Sequence, residues 1–146
     1  MSGLTATVVT PFWLIYLPAV SAAVAAIAFV FSVFKNRQDL HRSKELSARA
    51  AWGKYLEMAF DNPKLSLAGI DKFSPLEFEQ YEWFVSRMLY AAEEVLDLTN
   101  DDRNWIGVIE TQIGFHSAYL CGQGKQYHSH YAPPVQVMLN RVATNA

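Results

Sequence analysis

The sequence predicts an all-α protein in which one N-terminal transmembrane helix leads into a small antiparallel domain of three to four helices. Three observations carry that expectation. No charged side chain occurs before Lys35. No later segment alternates with a period of two, and no hairpin dipeptide of the Asn-Gly kind is present. Prolines and capping residues divide the remainder into stretches with a 3.6-residue apolar period. At 146 residues there is room for a tail and membrane helix over 1–34 and one domain over 35–146.

From Phe12 to Phe34 the chain reads FWLIYLPAVSAAVAAIAFVFSVF, which as a helix spans about 34 Å against a hydrocarbon core of ~30 Å. Phe12, Trp13 and Tyr16 at one end suit an interfacial belt. Lys35, Arg37, Arg42 and Lys44, with Arg49 beyond, form a basic collar at the other end against only Asp39 and Glu45. The positive-inside rule then places the N-terminus outside the cell (inner) membrane and the C-terminal body in the cytoplasm. A cleaved signal peptide is the competing reading; the length of the run and the lack of a basic residue ahead of it argue against that. Pro18 removes one helical donor near the start of the span. Ala19, Ala22, Ala23 and Ala26 fall at helical spacing, giving either a small-residue face that another helix approaches closely or an alanine-rich anchor that touches only lipid.

Between Lys35 and Phe60, Leu40, Ala48, Trp52, Leu56, Ala59 and Phe60 recur near a 3.6 period, an amphipathic helix able to continue the membrane helix. Asn62-Pro63 stops it, because the residue before proline is biased out of the helical region, and a loop carrying Gly69 runs to Phe73. Ser74-Pro75-Leu76-Glu77 then reads as a helix start, with a serine cap, proline at the first helical position and glutamate closing a capping box. That helix runs to about Leu98, with Tyr81, Phe84, Met88, Ala91, Ala92 and Val95 on a broad face and Phe78, Val85 and Leu89 beside it. This is more apolar width than one contact uses. Thr99-Asn100-Asp101 breaks the pattern. Trp105, Ile109, Ile113, His116 and Leu120 predict a third helix ending before Gly122, a polar hinge follows, and Pro133-Pro134 opens a last short helix through Val142.

Net charge of −2, with basic residues few and scattered, excludes the dense positive field that a nucleic-acid partner requires. From Ala50 onward seven basic side chains face twelve acidic ones, so the body stands off an anionic lipid surface that the collar attracts. The single Cys121 has no intramolecular disulfide partner, which suits a reducing compartment. It sits before Gly122 at a helix C-terminus, where the dipole disfavours the thiolate, so a buried structural thiol is expected.

His116, His128 and His130 form the one cluster with metal-ligand chemistry. No CxxC, HExxH or Glu-x-x-His spacing accompanies them, so His128 and His130 read as a polar hinge and His116 as a helix-packing residue, with no metal or cofactor expected. Glu93, Glu94, Asp97, Asp101 and Asp102 match no calcium loop and read as a solvated face. Gly122-Gln123-Gly124-Lys125 lacks the spacing and the preceding strand of a phosphate loop. Trp52, Tyr55, Phe60, Tyr81, Trp83, Phe84, Trp105 and Tyr119 stand at helical spacing and are expected in the core rather than around a ligand.

Several short motifs remain: Ala59-Phe60-Asp61-Asn62-Pro63-Lys64-Leu65, Tyr81-Glu82-Trp83-Phe84, Met88-Leu89 ahead of Glu93-Glu94, Trp105, and Tyr131-Ala132-Pro133. In their order after an anchor and a basic collar, the chain resembles uncharacterised bacterial small single-pass membrane proteins with an N-terminal anchor and a helical cytoplasmic domain. The resemblance implies that architecture and no activity. Taken together, these features predict a non-enzymatic accessory or scaffold subunit. It would touch membrane lipids and act by contact with other membrane proteins or by self-association. The alternative from another class is a tethered sensor whose helical body binds a small ligand.

Overall fold

The computed structural model describes residues 13–67 and 70–145. Among them there is no strand: the protein is all-α, a long apolar N-terminal helix followed by several shorter ones. Helix α1 covers Trp13–Asp61, α2 Pro63–Ser66, α3 Pro75–Thr99, α4 Arg103–Phe115, α5 Ser117–Gly122, α6 Lys125–His128 and α7 Pro133–Asn145, with a 3₁₀ turn at Ile70–Lys72 between α2 and α3. The chain divides into two compact units, Met1–His41 and Arg42–Ala146.

In the first unit, every side chain described from Val20 onward is exposed, including Val24, Ile27, Phe29, Phe31 and Phe34. A core helix of a soluble protein would have most of that apolar surface covered by its own chain. Here none of the apolar stretch is buried, and the helix is long and apolar enough to cross a membrane.

In the second unit α1 contributes Ala48, Ala51, Trp52 and Tyr55 to the core, the i, i+3, i+4, i+7 signature of one helical face. Of the expected face, Ala48 and Trp52 are buried and Ala59 half-buried, and the remainder is corrected. Leu40 and Leu56 are exposed and Phe60 is 85 % exposed. A ladder of i+4 steps such as 52, 56, 60 advances 40° per step around a 3.6-residue helix, so it walks off the buried face within two steps. The helix ends at Asp61 before Pro63, as Asn62-Pro63 requires.

The start of α3 follows the expected chemistry. The Ser74 hydroxyl accepts from the Glu77 N–H at 3.4 Å, Ser74 N–H donates to Glu77 Oε2 at 2.8 Å, and Pro75 occupies the first turn. Lys64 at α2 pairs with the same carboxylate. Together Lys64, then the Ser74 backbone and hydroxyl, hold the Glu77 carboxyl down at about 2. At the far end Asn100 (φ 50°) and Asp101 (φ 57°) both turn left-handed, returning their N–H groups to Leu96 O. Asp102 then caps α4 through Asn104 N (2.8 Å) and Trp105 N (3.4 Å).

More of the core comes from α3 than from any other helix: Tyr81, Phe84, Val85, Met88, Leu89, Ala92, Val95 and Leu96 are all buried. Around it pack Ile109 and Ile113 of α4, Tyr119 and Leu120 of α5, and Val135, Met138 and Leu139 of α7. The α7 helix lies against α3, α4, α5 and α6.

Two expectations need correction. The single helix through Trp105 to Leu120 is broken at His116 into α4 and α5, where the ladder tightens to i−3 bonds (His116 N–H to Ile113 O, 3.0 Å). The polar hinge before Pro133 contains a further helical turn, α6.

Candidate interaction surface

Helix α3 presents two opposite faces. Its inner arc fills the core, while Leu76, Trp83 and Tyr90 remain 65 %, 67 % and 59 % exposed. The three are seven residues apart, and seven residues fall within 20° of two full helical turns, so they line up in one stripe about 21 Å long. Gln80 and Arg87 flank the stripe on one side and Glu79 on the other, all exposed. Among the described residues the ion pairs are Arg49 with Glu45, Lys64 with Glu77 and Arg141 with Glu110, none of them involving Glu79 or Arg87. At its far end Tyr90 leans on Tyr131 (centroids 5.7 Å apart) and borders a shallow groove of about 210 Å³ with Lys54, Tyr55, Met58 and Arg87. A larger cleft of about 650 Å³ lies beside α6 and α7, lined by Gln123, Lys125, His128, Gln136, Asn140 and Ala143 among others.

Behind the stripe is an aromatic cluster with polar tips. Tyr81 packs against Phe73 (5.3 Å), Tyr119 (5.3 Å) and His116 (5.6 Å), and Phe84 packs against His116 at 5.7 Å. The Tyr81 hydroxyl meets His116 Nδ1 at 2.9 Å. Burial raises the hydroxyl pKa of Tyr81, and of Tyr119 and Tyr131, above its ordinary value, and lowers that of His116 to about 4. At neutral pH the tyrosine is therefore protonated and the imidazole neutral. Nδ1 is the ring nitrogen engaged by Tyr81, and the other, Nε2, is buried with no hydrogen-bond partner among the described residues. These groups hold the packing together through ring contacts and hydroxyl bonds, and none is poised near neutrality for proton transfer.

The structure places the histidines apart in role. His116 is fully buried at the α4–α5 junction, and His128 is also buried, its Nε2 3.3 Å from Leu120 O. His128 is therefore a core residue, not the polar hinge residue expected, because the extra turn of α6 rolls it inward; His130 stays exposed. Among the described residues no three His, Cys, Asp or Glu side chains come together to hold a metal ion. Cys121 is half-buried rather than buried, its Sγ 3.8 Å from Val142 O.

On α1, Ala22, Ala23 and Ala26 are exposed at i, i+1, i+4. Phe12 and the side chains of Trp13, Tyr16, Pro18 and Ala19 lie outside the described residues. Lys35, Arg37 and Arg42 are exposed and Lys44 half-buried. Because residues two apart differ by 200° around a helix, Lys35 with Arg42 and Arg37 with Lys44 ring α1 rather than line one side. Farther along, Glu45 accepts from Arg49 Nε (2.9 Å) and Trp105 Nε1 (3.2 Å).

Of the aromatics expected inside, Trp52, Tyr55, Tyr81, Phe84 and Tyr119 are buried and Trp105 half-buried, while Phe60 and Trp83 are exposed. The seven-residue spacing of Leu76, Trp83 and Tyr90 was the signal that could have separated Trp83 from the core. Comparison with known protein families, with curated proteins and with solved structures finds no match to any of them. What stands of the resemblance is its coarse form, a long apolar helix followed by a small helical body.

Proposed function

We propose that this is a non-catalytic single-pass membrane protein acting by protein–protein contact, an accessory or scaffold subunit of a membrane complex. The observation that carries the reading is the outer stripe of α3. Three large side chains are held on the helix that contributes most to the core of the body, and that core is already filled by the opposite face. Isolated exposed apolar residues are ordinary, but an aligned set centred on a tryptophan is the composition of binding hot spots.

The anchor reading draws on the uncovered apolar helix and the ring of collar residues after it. The orientation, with the body in the cytoplasm of the inner membrane, draws on the positive-inside rule. A signal peptide passes the same length and hydropathy test. Against it, the apolar run is longer than the ~7–15-residue hydrophobic region of a signal peptide.

Gentle extraction from native membranes followed by mass spectrometry tests the reading. The expected result is a stoichiometric partner, either another subunit or a further copy of this chain. A lone monomer at all accessible concentrations would overturn it.

A further inference from the structure

We propose that the stripe on α3 pairs with the same stripe of a second copy, the two helices antiparallel about a two-fold axis at Trp83. This names the partner in the contact reading and rests on it. The order of residues along α3 is the argument. Counting outward from Trp83, Leu76 lies seven positions before and Tyr90 seven after, while Glu79 lies four before and Arg87 four after. An antiparallel two-fold pairing superposes equal counts of opposite sign. Leu76 then meets Tyr90, Trp83 meets Trp83, and each Glu79 comes level with an Arg87 across the axis.

A parallel pairing in register would instead bring Glu79 level with Glu79 and Arg87 level with Arg87. The charges therefore select both the partner and its direction. Glu79 and Arg87 are exposed and take no part in the ion pairs formed among the described residues, so both are available for this contact. A face one helix wide is small beside the ~800 Å² per partner of a standard complex. The association is accordingly concentration-dependent and centred on the tryptophan.

The test uses the full chain in mild detergent, in a Cys121→Ala background. Glu79→Cys and Arg87→Cys chains are mixed and treated with a short bismaleimide. The mixture retains one of the two Glu79–Arg87 pairs and should cross-link between the two kinds of chain, with neither cross-linking to itself. Sedimentation of cysteine-free chains supplies the second arm. Trp83→Ala should weaken the dimer about tenfold or more. Glu79→Arg and Arg87→Glu should each weaken it, and the double reversal should restore it, with helical circular dichroism unchanged throughout. Self-linking of each cysteine chain without cross-linking of the mixture, or a dimer indifferent to all four variants, would overturn the pairing. If the wild-type chain is monomeric yet a different protein co-purifies stoichiometrically, the self-pairing fails and the contact reading stands. If the chain is monomeric and nothing accompanies it, both fail.

Discussion

Replacing His116 with phenylalanine should flatten the acid dependence of the body's stability between about pH 6.5 and 4. The imidazole is fully buried between Tyr81 and Phe84, and its burial lowers the pKa from 6.5 to about 4. Below pH 6.5 the unfolded chain binds a proton that the folded chain does not. The stabilisation is thus complete above 6.5, is lost progressively as the pH falls toward 4, and levels off beneath it.

A shift of this size corresponds to roughly 3 kcal/mol at ~1.4 kcal/mol per unit, or on the order of 10–20 °C in Tm for a body of this size. Thermal unfolding of the full chain in mild detergent, followed by near-ultraviolet circular dichroism across that range, reads it directly. The variant forfeits the bond to Tyr81 and should be less stable at neutral pH by about 1–2 kcal/mol. Its Tm should nevertheless hold nearly level where the wild type falls. Glu77 does not confuse the comparison, since its carboxyl titrates lower, between 4.5 and about 2. Equal slopes for the two proteins would refute the assignment of the acid sensitivity to a buried neutral histidine.

Three further outcomes follow from local geometry. Glu77 contributes stability that is present above pH 4.5 and lost as the pH falls through about 2; Lys64→Met should shift that loss to higher pH, because Lys64 is the largest cause of the low value. Asp101→Gly should stabilise the body by about 0.5–1 kcal/mol in a denaturant titration, since glycine tolerates the left-handed backbone (φ 57°) that aspartate occupies there. Neutralising Lys35, Arg37, Arg42 and Lys44 together to glutamine should scramble the orientation read by reporters fused to each end, whereas the same number of changes at Lys54, Lys72, Arg103 and Lys125 should leave it uniform.

The elements whose start or stop is written in backbone chemistry were legible in the sequence. Ser74-Pro75 with Glu77, Asn62 before Pro63, and Pro133-Pro134 each restrict φ or satisfy orphan N–H groups by themselves, so no tertiary information is needed to place them. The break at His116 was not legible. It coincides with a side chain turned inward to meet a tyrosine 35 positions earlier, and a local window contains no trace of that partner. The inward turn of His128 depends likewise on a carbonyl, Leu120 O, supplied by the preceding helix. Part of the inner face of α1 was misassigned for a simpler reason: apolar residues at i+4 steps look periodic yet precess, so Leu56 and Phe60 leave the face of Ala48 and Trp52, and only the alternation of threes and fours in 48, 51, 52, 55 keeps one face inward. Trp83 was missed because a tryptophan at helical spacing is ordinarily core, and its exposure follows from which arc of α3 the other helices had already covered.

That arc also sets the conditions under which self-pairing is favoured. Beyond the collar the body carries about five net negative charges, so two copies repel over distances up to about a Debye length, which is ~30 Å at 0.01 M but only ~8 Å at physiological ionic strength. The Glu79–Arg87 pairs act at contact, beside a tryptophan that excludes water, and are screened much less than the distributed charge. Raising salt from very low to physiological levels therefore removes more repulsion than attraction, and apolar burial at Leu76, Trp83 and Tyr90 is not weakened at all. Association through this stripe should strengthen over that range, whereas a complex held by charge alone would weaken.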